Sequence, residues 1–322
     1  MIEQKKDIEI SIVVPVYNEE ENIGGVLDEI IEVMNRYGRG YEIIVVDDGS
    51  RDRTFDILKQ YHSKYDNIQV VRLTRNFGQH PAVYAGFNYA RGNIFLSMDG
   101  DGQNLPEEIP NLIKVLEEGN FDFVQGWRTE RQDSFLRRFF SQFVNRFISK
   151  ATGSELKDAG CGMAAYSRNA VNRLLQATHH ARYIPAEISW MGLKIKSHPI
   201  KHRKREKGKS RYRIWSLFWI NFDIIASIST IPVEAIGYVG MLFSVLGFLL
   251  GFFIFFRSLF FNKSPDSLII MTSLLLIFVG IQILCISVLC AYVSRAYREV
   301  QHRPYFIVRE TLTDDHHPHS TD

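Results

Sequence analysis

Cysteine is scarce: three residues in a chain of 322, Cys161, Cys285 and Cys290. They are too few and too badly spaced for a disulfide framework or a zinc site, so a reducing compartment fits. No signal peptide is expected, because Met1 to Glu9 is mostly charged and polar and the apolar stretch after it has the length of a strand. That stretch runs into Val16-Tyr17-Asn18-Glu19-Glu20, with no glycine-rich dinucleotide fingerprint, which disfavours NAD chemistry. Internal repeats are absent. Net charge is small too, +2 from 38 basic and 36 acidic residues.

That balance hides segregation. Lys194 to Arg213 holds ten Lys or Arg against one acid, Glu206, leaving 28 basic and 35 acidic residues in an otherwise acidic chain. A nucleic-acid footprint would spread over a whole domain, so no nucleic acid is expected; a compact block beside apolar sequence fits anionic or phosphorylated lipid. The apolar sequence follows directly. Ala235 to Phe256 and Ser267 to Val293 are uncharged runs of 22 and 27 residues, each long enough to span a hydrocarbon core that needs ~20 helical residues. Basic residues flank their outer ends, including Arg211 and Arg213 before and Arg295 and Arg298 after, which predicts a helical hairpin with both termini cytoplasmic. Ile214 to Ile231 carries one charge, Asp223, and ends at Pro232; it reads as an interfacial helix. As a third span it would bury that Asp at ~2.5 to 3.5 kcal/mol.

The length suits about two domains. The division expected is a cytoplasmic domain over 1–213 with the basic segment 194–213, an interfacial helix over 214–232, a two-helix membrane unit over 233–309 with spans at 235–256 and 267–293, and a flexible tail over 310–322. In the first domain, Ile10 to Val16, Glu42 to Val46, Ile68 to Leu73 and Asn93 to Met98 are short apolar, β-branched runs. Glu20 to Tyr37, Thr54 to Tyr65 and Ala82 to Ala90 lie between them at helical spacing. Alternation of this kind predicts an α/β fold with a mostly parallel sheet flanked by helices.

Open α/β sheets bind ligands at the carboxyl ends of their strands, and carboxylates are placed there. Asp47-Asp48-Gly49-Ser50 follows the second run and Asp99-Gly100-Asp101-Gly102-Gln103 the fourth. Alternate residues of an extended stretch point the same way, so Asp99 and Asp101 can approach one hard divalent cation, Mg2+ or Mn2+.

Together with Pro15-Val16-Tyr17-Asn18-Glu19 and Arg75-Asn76-Phe77-Gly78-Gln79, these motifs resemble the family 2 glycosyltransferases of the GT-A, Rossmann-like fold. Within that family the chain is similar to the polyprenyl-phosphate glycosyltransferases, through Arg131-Gln132-Asp133-Ser134, Asp158-Ala159-Gly160-Cys161-Gly162, Gly208-Lys209-Ser210-Arg211-Tyr212 and Arg303-Pro304-Tyr305-Phe306. It leans toward the undecaprenyl-phosphate aminoarabinose branch rather than prenol-phosphate glucosyltransferases or dolichol-phosphate mannose synthase. One departure stands out: the family usually has Ala between the two aspartates and often Leu after them, where this chain has Gly100 and Gly102, residues expected to loosen the turn.

The resemblance implies a donor site of Pro15, Tyr17, Asn18, Glu19, Asp48, Gln79 and Asp99, with Asp48 on the nucleobase or ribose. It implies metal ligands Asp99, Asp101 and Gln103, and a catalytic pair Asp101 and Asp158, the latter orienting acceptor or sugar. It places the acceptor phosphate on Arg128, Arg138, Arg205, Lys209 and Ser210. The implied reaction is inverting transfer from a nucleotide sugar, UDP favoured over GDP, to a polyprenyl phosphate at a bacterial inner membrane, with a homo-oligomer compatible. His80 fits either the donor diphosphate or a structural hydrogen bond. Two other readings stay open. A processive polysaccharide synthase would bring more spans and a Gln-x-x-Arg-Trp motif, which does not occur here. A non-catalytic, sugar-nucleotide-sensing membrane protein would be expected to lose metal ligands, and both aspartates are kept.

Overall fold

The structure, a computed structural model of the chain, describes residues 7–128, 161–177, 184–203 and 304–313, with separate helical positions between 252 and 296. Two compact units divide it, residues 1–228 with 304–322, and residues 229–303.

In the first unit strands and helices alternate: β1 (Ile10–Val16), α1 (Ile23–Tyr37), β2 (Tyr41–Asp47), α2 (Thr54–Lys64), β3 (Ile68–Leu73), α3 (Gln79–Tyr89), β4 (Ile94–Ser97), a 3-10 turn at Pro106–Glu108, α4 (Ile109–Glu118) and β5 (Phe123–Arg128). After 128 the described elements are β6 (Ala164–Ser167), α5 (Arg168–Gln176), α6 (Ile184–Trp190), β7 (Ile195–Ile200) and β8 (Val308–Leu312). The strand order is β7-β5-β6-β4-β1-β2-β3-β8.

Period-two alternation splits the core into two layers. Ile10, Ile12 and Val14 of β1 and Ile43 and Val45 of β2 face the α1, α2 and α4 side, where Ile23, Leu27, Ile30 and Met34 supply the buried stripe of α1. Val13, Ile44 and Val46 face the other side, against Ala82, Val83 and Phe87 of α3 and Val171 and Leu174 of α5. Strands apolar on both faces are what a covered parallel sheet needs.

The sheet is mixed but mostly parallel, as expected, with four parallel pairings against three antiparallel. β4-β1-β2-β3 is parallel throughout, and so is the β5–β7 pair, but β6 runs antiparallel to β4 and β5, and β8 antiparallel to β3. β8 also moves a boundary. Val308–Leu312, divided above between membrane unit and flexible tail, is an edge strand of the first unit, with Arg72 opposite Glu310 and their side chains paired at 3.1 Å.

In the second unit the described positions are helical, and many are exposed apolar residues at helical spacing: Phe252, Phe256 and Phe260, then Met271, Leu274, Leu275 and Phe278. Among the described residues no helix is long and apolar enough to cross a membrane. The expected span 235–256 lies mostly outside the described residues, 267–293 about half so, and the 214–232 helix wholly so.

Candidate active site

Three of the motif loops lock together at the carboxyl ends of β1, β2 and β3. Asn18 N–H donates to Ser50 Oγ (2.9 Å), Arg51 N–H to Asn18 Oδ1 (2.8 Å) and Glu19 N–H to Thr54 Oγ1 (2.9 Å). Asp48 is buried, and its two oxygens accept the N–H groups of Phe77 (2.7 Å) and Gly78 (2.9 Å). Its carboxylate therefore shapes the turn that opens α3. Burial pushes Asp48 up to about 6, against the lowering effect of those two donors. Beside it Asp47 accepts from Ser50 N–H at 2.8 Å and lies 3.1 Å from Arg72 Nε; burial raises its pKa too. Pro15 is a buried strand residue opposite Val46, and it is Tyr17 that reaches a cleft.

That cleft, of about 210 Å3, is lined by Tyr17, Gly49, Ser50, Arg51, Arg72, Leu73, Thr74, Arg75, Asn76 and Arg309. The resemblance did not single out its arginines. Arg75 sits in a quoted motif, but Arg309 lies beyond the last of them, Arg303-Pro304-Tyr305-Phe306.

The second focus is the loop after β4. Asp99 lies in the field of Asp101, Arg128 and Glu19, and Gln79 at the start of α3 donates from Nε2 to Asp99 Oδ1. Burial first, then Asp101, pushes Asp99 up to about 7; Arg128 lowers it. Asp101 Oδ1 caps its own turn by accepting from Gln103 N–H at 3.1 Å. Two hard carboxylates with a third acid nearby fit Mg2+ or Mn2+ in donor chemistry. Among the described residues no three or more His, Cys, Asp or Glu converge as a complete metal cage. His80, one residue into α3, is lowered to about 4 by burial and so is neutral at pH 7.

The glycines of this loop do not loosen it. A Cβ on Gly100 would meet Val16 Cγ1 at 2.4 Å, so the space of the usual Ala methyl is filled by Val16. Gly102 adopts φ +76, a left-handed turn that glycine takes without strain.

The loop is also stitched to the start of the basic block. Arg203 N–H donates to Gln103 carbonyl oxygen at 2.8 Å, Asn104 forms an antiparallel bridge with His202, and Lys201 N–H donates to Glu108 Oε1 at 3.2 Å. Arg203 itself pairs with Glu29 at 3.0 Å. Of the expected residues, Asp99, Asp101, Gln103, Glu19, Gln79 and Arg128 are brought together here. Arg138, Asp158, Arg205, Lys209 and Ser210 lie outside the described residues.

Comparison with known proteins places the chain in a family. The family described as glycosyl transferase family 2 matches residues 11–175. The undecaprenyl-phosphate 4-deoxy-4-formamido-L-arabinose transferase of Photorhabdus laumondii is 35% identical over 309 residues, covering 95% of each chain. Its counterpart in Proteus mirabilis is 34% identical over 306 residues, 94% of each chain. Among solved structures, glucosyl-3-phosphoglycerate synthase from Mycobacterium tuberculosis in complex with Mn2+, UDP and glucosyl-3-phosphoglycerate superposes with a TM-score of 0.53 at 21% identity, over 69% of this chain and 78% of the other. At that identity the likeness is one of fold.

Proposed function

Since the chain belongs to glycosyl transferase family 2, we propose that this glycosyltransferase moves a sugar from a UDP-linked donor onto the phosphate of an undecaprenyl-type lipid, with inversion, at the cytoplasmic face of a bacterial inner membrane. The observation that carries the reading is the join between Gln103 and Arg203, since it starts the basic segment at the carboxylate loop. Arg205 follows two residues later. A lipid phosphate gathered by that segment would arrive beside the carboxylates that hold the donor diphosphate.

Each group then has a task. Asp99 and Asp101, with Gln103, would hold Mg2+ or Mn2+, and the cation would stabilise the charge that develops on the departing diphosphate. Tyr17, with Asn18, Glu19 and Asp48 beneath it, shapes the nucleoside side of the donor site. Gln79 holds Asp99 in place. Arg128, Arg138, Arg205, Lys209 and Ser210 bind and orient the acceptor phosphate by charge-assisted contacts. That phosphate has a second pKa near ~6 and is largely deprotonated at pH 7, so no strong base is needed and Asp158 serves to orient. An oxygen of the lipid phosphate attacks the anomeric carbon, the bond from that carbon to the donor's diphosphate breaks, and the nucleoside diphosphate leaves. Positioning carries most of the work.

β8 supports a membrane hairpin. It pairs with β3 in the sheet that also holds β1 to β7, so the described residues up to 203 and those of 304–313 would lie on one side of any bilayer crossed between them. The number of crossings is then even, which favours spans at 235–256 and 267–293 and an interfacial 214–232.

The test separates acceptor from donor. Arg205→Ala should lower turnover with a short polyprenyl phosphate about tenfold or more, from the ~1.5 to 3 kcal/mol of a charge-assisted contact. Calorimetric affinity for UDP with Mn2+ should stay unchanged. Equal loss of both would move Arg205 to the donor side, and loss of neither would reduce the basic block to a membrane flank.

A further inference from the structure

The cleft at the heads of β1 to β3 takes one lining residue from far along the chain. Arg72 of β3 and Glu310 of β8 are partners 238 positions apart, and Arg309 stands beside them on the cleft wall. The register explains how it gets there. Arg72 faces Glu310 and Leu73 faces Val308, so Arg309 has no opposite number and is the extra residue of a β-bulge. A bulge re-aims a side chain out of the strand's alternation. Its surroundings are fixed: Thr74 N–H donates to Ile307 carbonyl oxygen at 2.9 Å, and Val308 packs on the α3-side core.

The cations of the cleft differ in how far they are committed. Arg72 contacts Asp47 and Glu310 and lies over the Phe55 ring; Arg75 lies over the Phe77 ring and donates to Asn76 carbonyl oxygen. Arg309 is exposed, and among the described residues its side chain makes no hydrogen bond or ion pair. Bulge, cleft and uncommitted guanidinium coincide.

We infer that Arg309 determines donor affinity: it hydrogen-bonds the nucleoside end of the sugar nucleotide, so the strand that follows the membrane segment completes the donor site. The inference rests on the donor assignment proposed above. A diphosphate held at Asp99 sits at the head of β4, and β4-β1-β2-β3-β8 are successive neighbours ~4.8 Å apart. The nucleoside then runs across the heads of β1 and β2, and its base ends over β3, beside β8. A guanidinium offers only donors in a planar fork, which suits the oxygen acceptors of a base and a ribose.

The experiment is calorimetry on the full chain in detergent with Mn2+, titrating UDP and then UMP, with GDP and GMP in parallel. Arg309→Ala should weaken UDP and UMP by the same factor, about tenfold. Arg309→Lys should recover part of the loss, neither variant should shift the melting temperature, and inorganic phosphate should not compete with UMP. Unchanged affinity in Arg309→Ala overturns the inference. So does a loss seen with UDP but not UMP, competition by inorganic phosphate, or an equal loss in both variants with a lowered melting temperature. A wild type that binds none of the four nucleotides removes the donor assignment itself, an outcome distinct from Arg309 failing alone.

Discussion

Gly162 is pressed against Asp99: a Cβ on the glycine would stand 1.9 Å from Asp99 Oδ2 and 2.2 Å from its Cγ. The two residues come from segments that pair antiparallel, β4 and β6, and Ser97 Oγ donates to Gly162 carbonyl oxygen at 3.4 Å just below them. The last glycine of Asp158-Ala159-Gly160-Cys161-Gly162 therefore gives the metal-side carboxylate its room. Gly162→Ala should force Asp99 aside, destabilise the fold by the ~1 to 3 kcal/mol typical of overpacking, and lower turnover. Turnover measured against Mn2+ concentration should show a raised metal requirement. A variant with normal turnover would mean the carboxylate moves freely.

Gly100 makes a second packing prediction. Gly100→Ala alone should destabilise by ~1 to 3 kcal/mol through its clash with Val16. In a Val16→Ala background the same substitution should cost no more than ~0.5 kcal/mol, as a double-mutant cycle by thermal melting would record.

Asp48 should read out in pH. A carboxyl whose folded pKa is raised stabilises below its unfolded value of ~3.9 and loses that contribution as pH rises through the folded one, here about 6. Asp48→Asn cannot titrate, and it sets an amide N–H against one of two backbone donors, a cost of ~1 to 3 kcal/mol. The wild type's advantage in melting experiments should narrow between pH 4 and 6 and level off above. An advantage that widens with pH would mean that the Phe77 and Gly78 donors outweigh burial.

Removing the metal side should stop the reaction. Asp99→Asn and Asp101→Asn should each abolish transfer while the melting temperature holds, and EDTA should stop turnover until Mg2+ or Mn2+ returns. Full activity in chelator would contradict the assignment.

Much of this was legible in the sequence because buried parallel strands are written as apolar runs: β1 to β4 fall close to where the runs lie, and the carboxylates follow them. β8 was not legible. Val-Arg-Glu-Thr-Leu has no apolar alternation, since an edge strand faces solvent and gets its place from pairing, here Arg72 with Glu310. β6 is only four residues long, and its antiparallel direction is set by long-range contacts. Gly162 against Asp99 and Arg203 on Gln103 are likewise contacts between distant segments. Asp48 showed the opposite limit: its motif was plain, but not that its oxygens would be spent on the Phe77 and Gly78 turn.

Mass spectrometry of the lipid product tests the central claim most directly. Purified full-length chain with a short polyprenyl phosphate, Mg2+ or Mn2+ and a panel of UDP- and GDP-sugars should yield a polyprenyl phosphate heavier by one sugar residue. One nucleoside diphosphate should be released per lipid modified, with a UDP-linked donor preferred. Consumption of a nucleotide sugar with no sugar on the lipid phosphate, or no consumption of any donor, would contradict it.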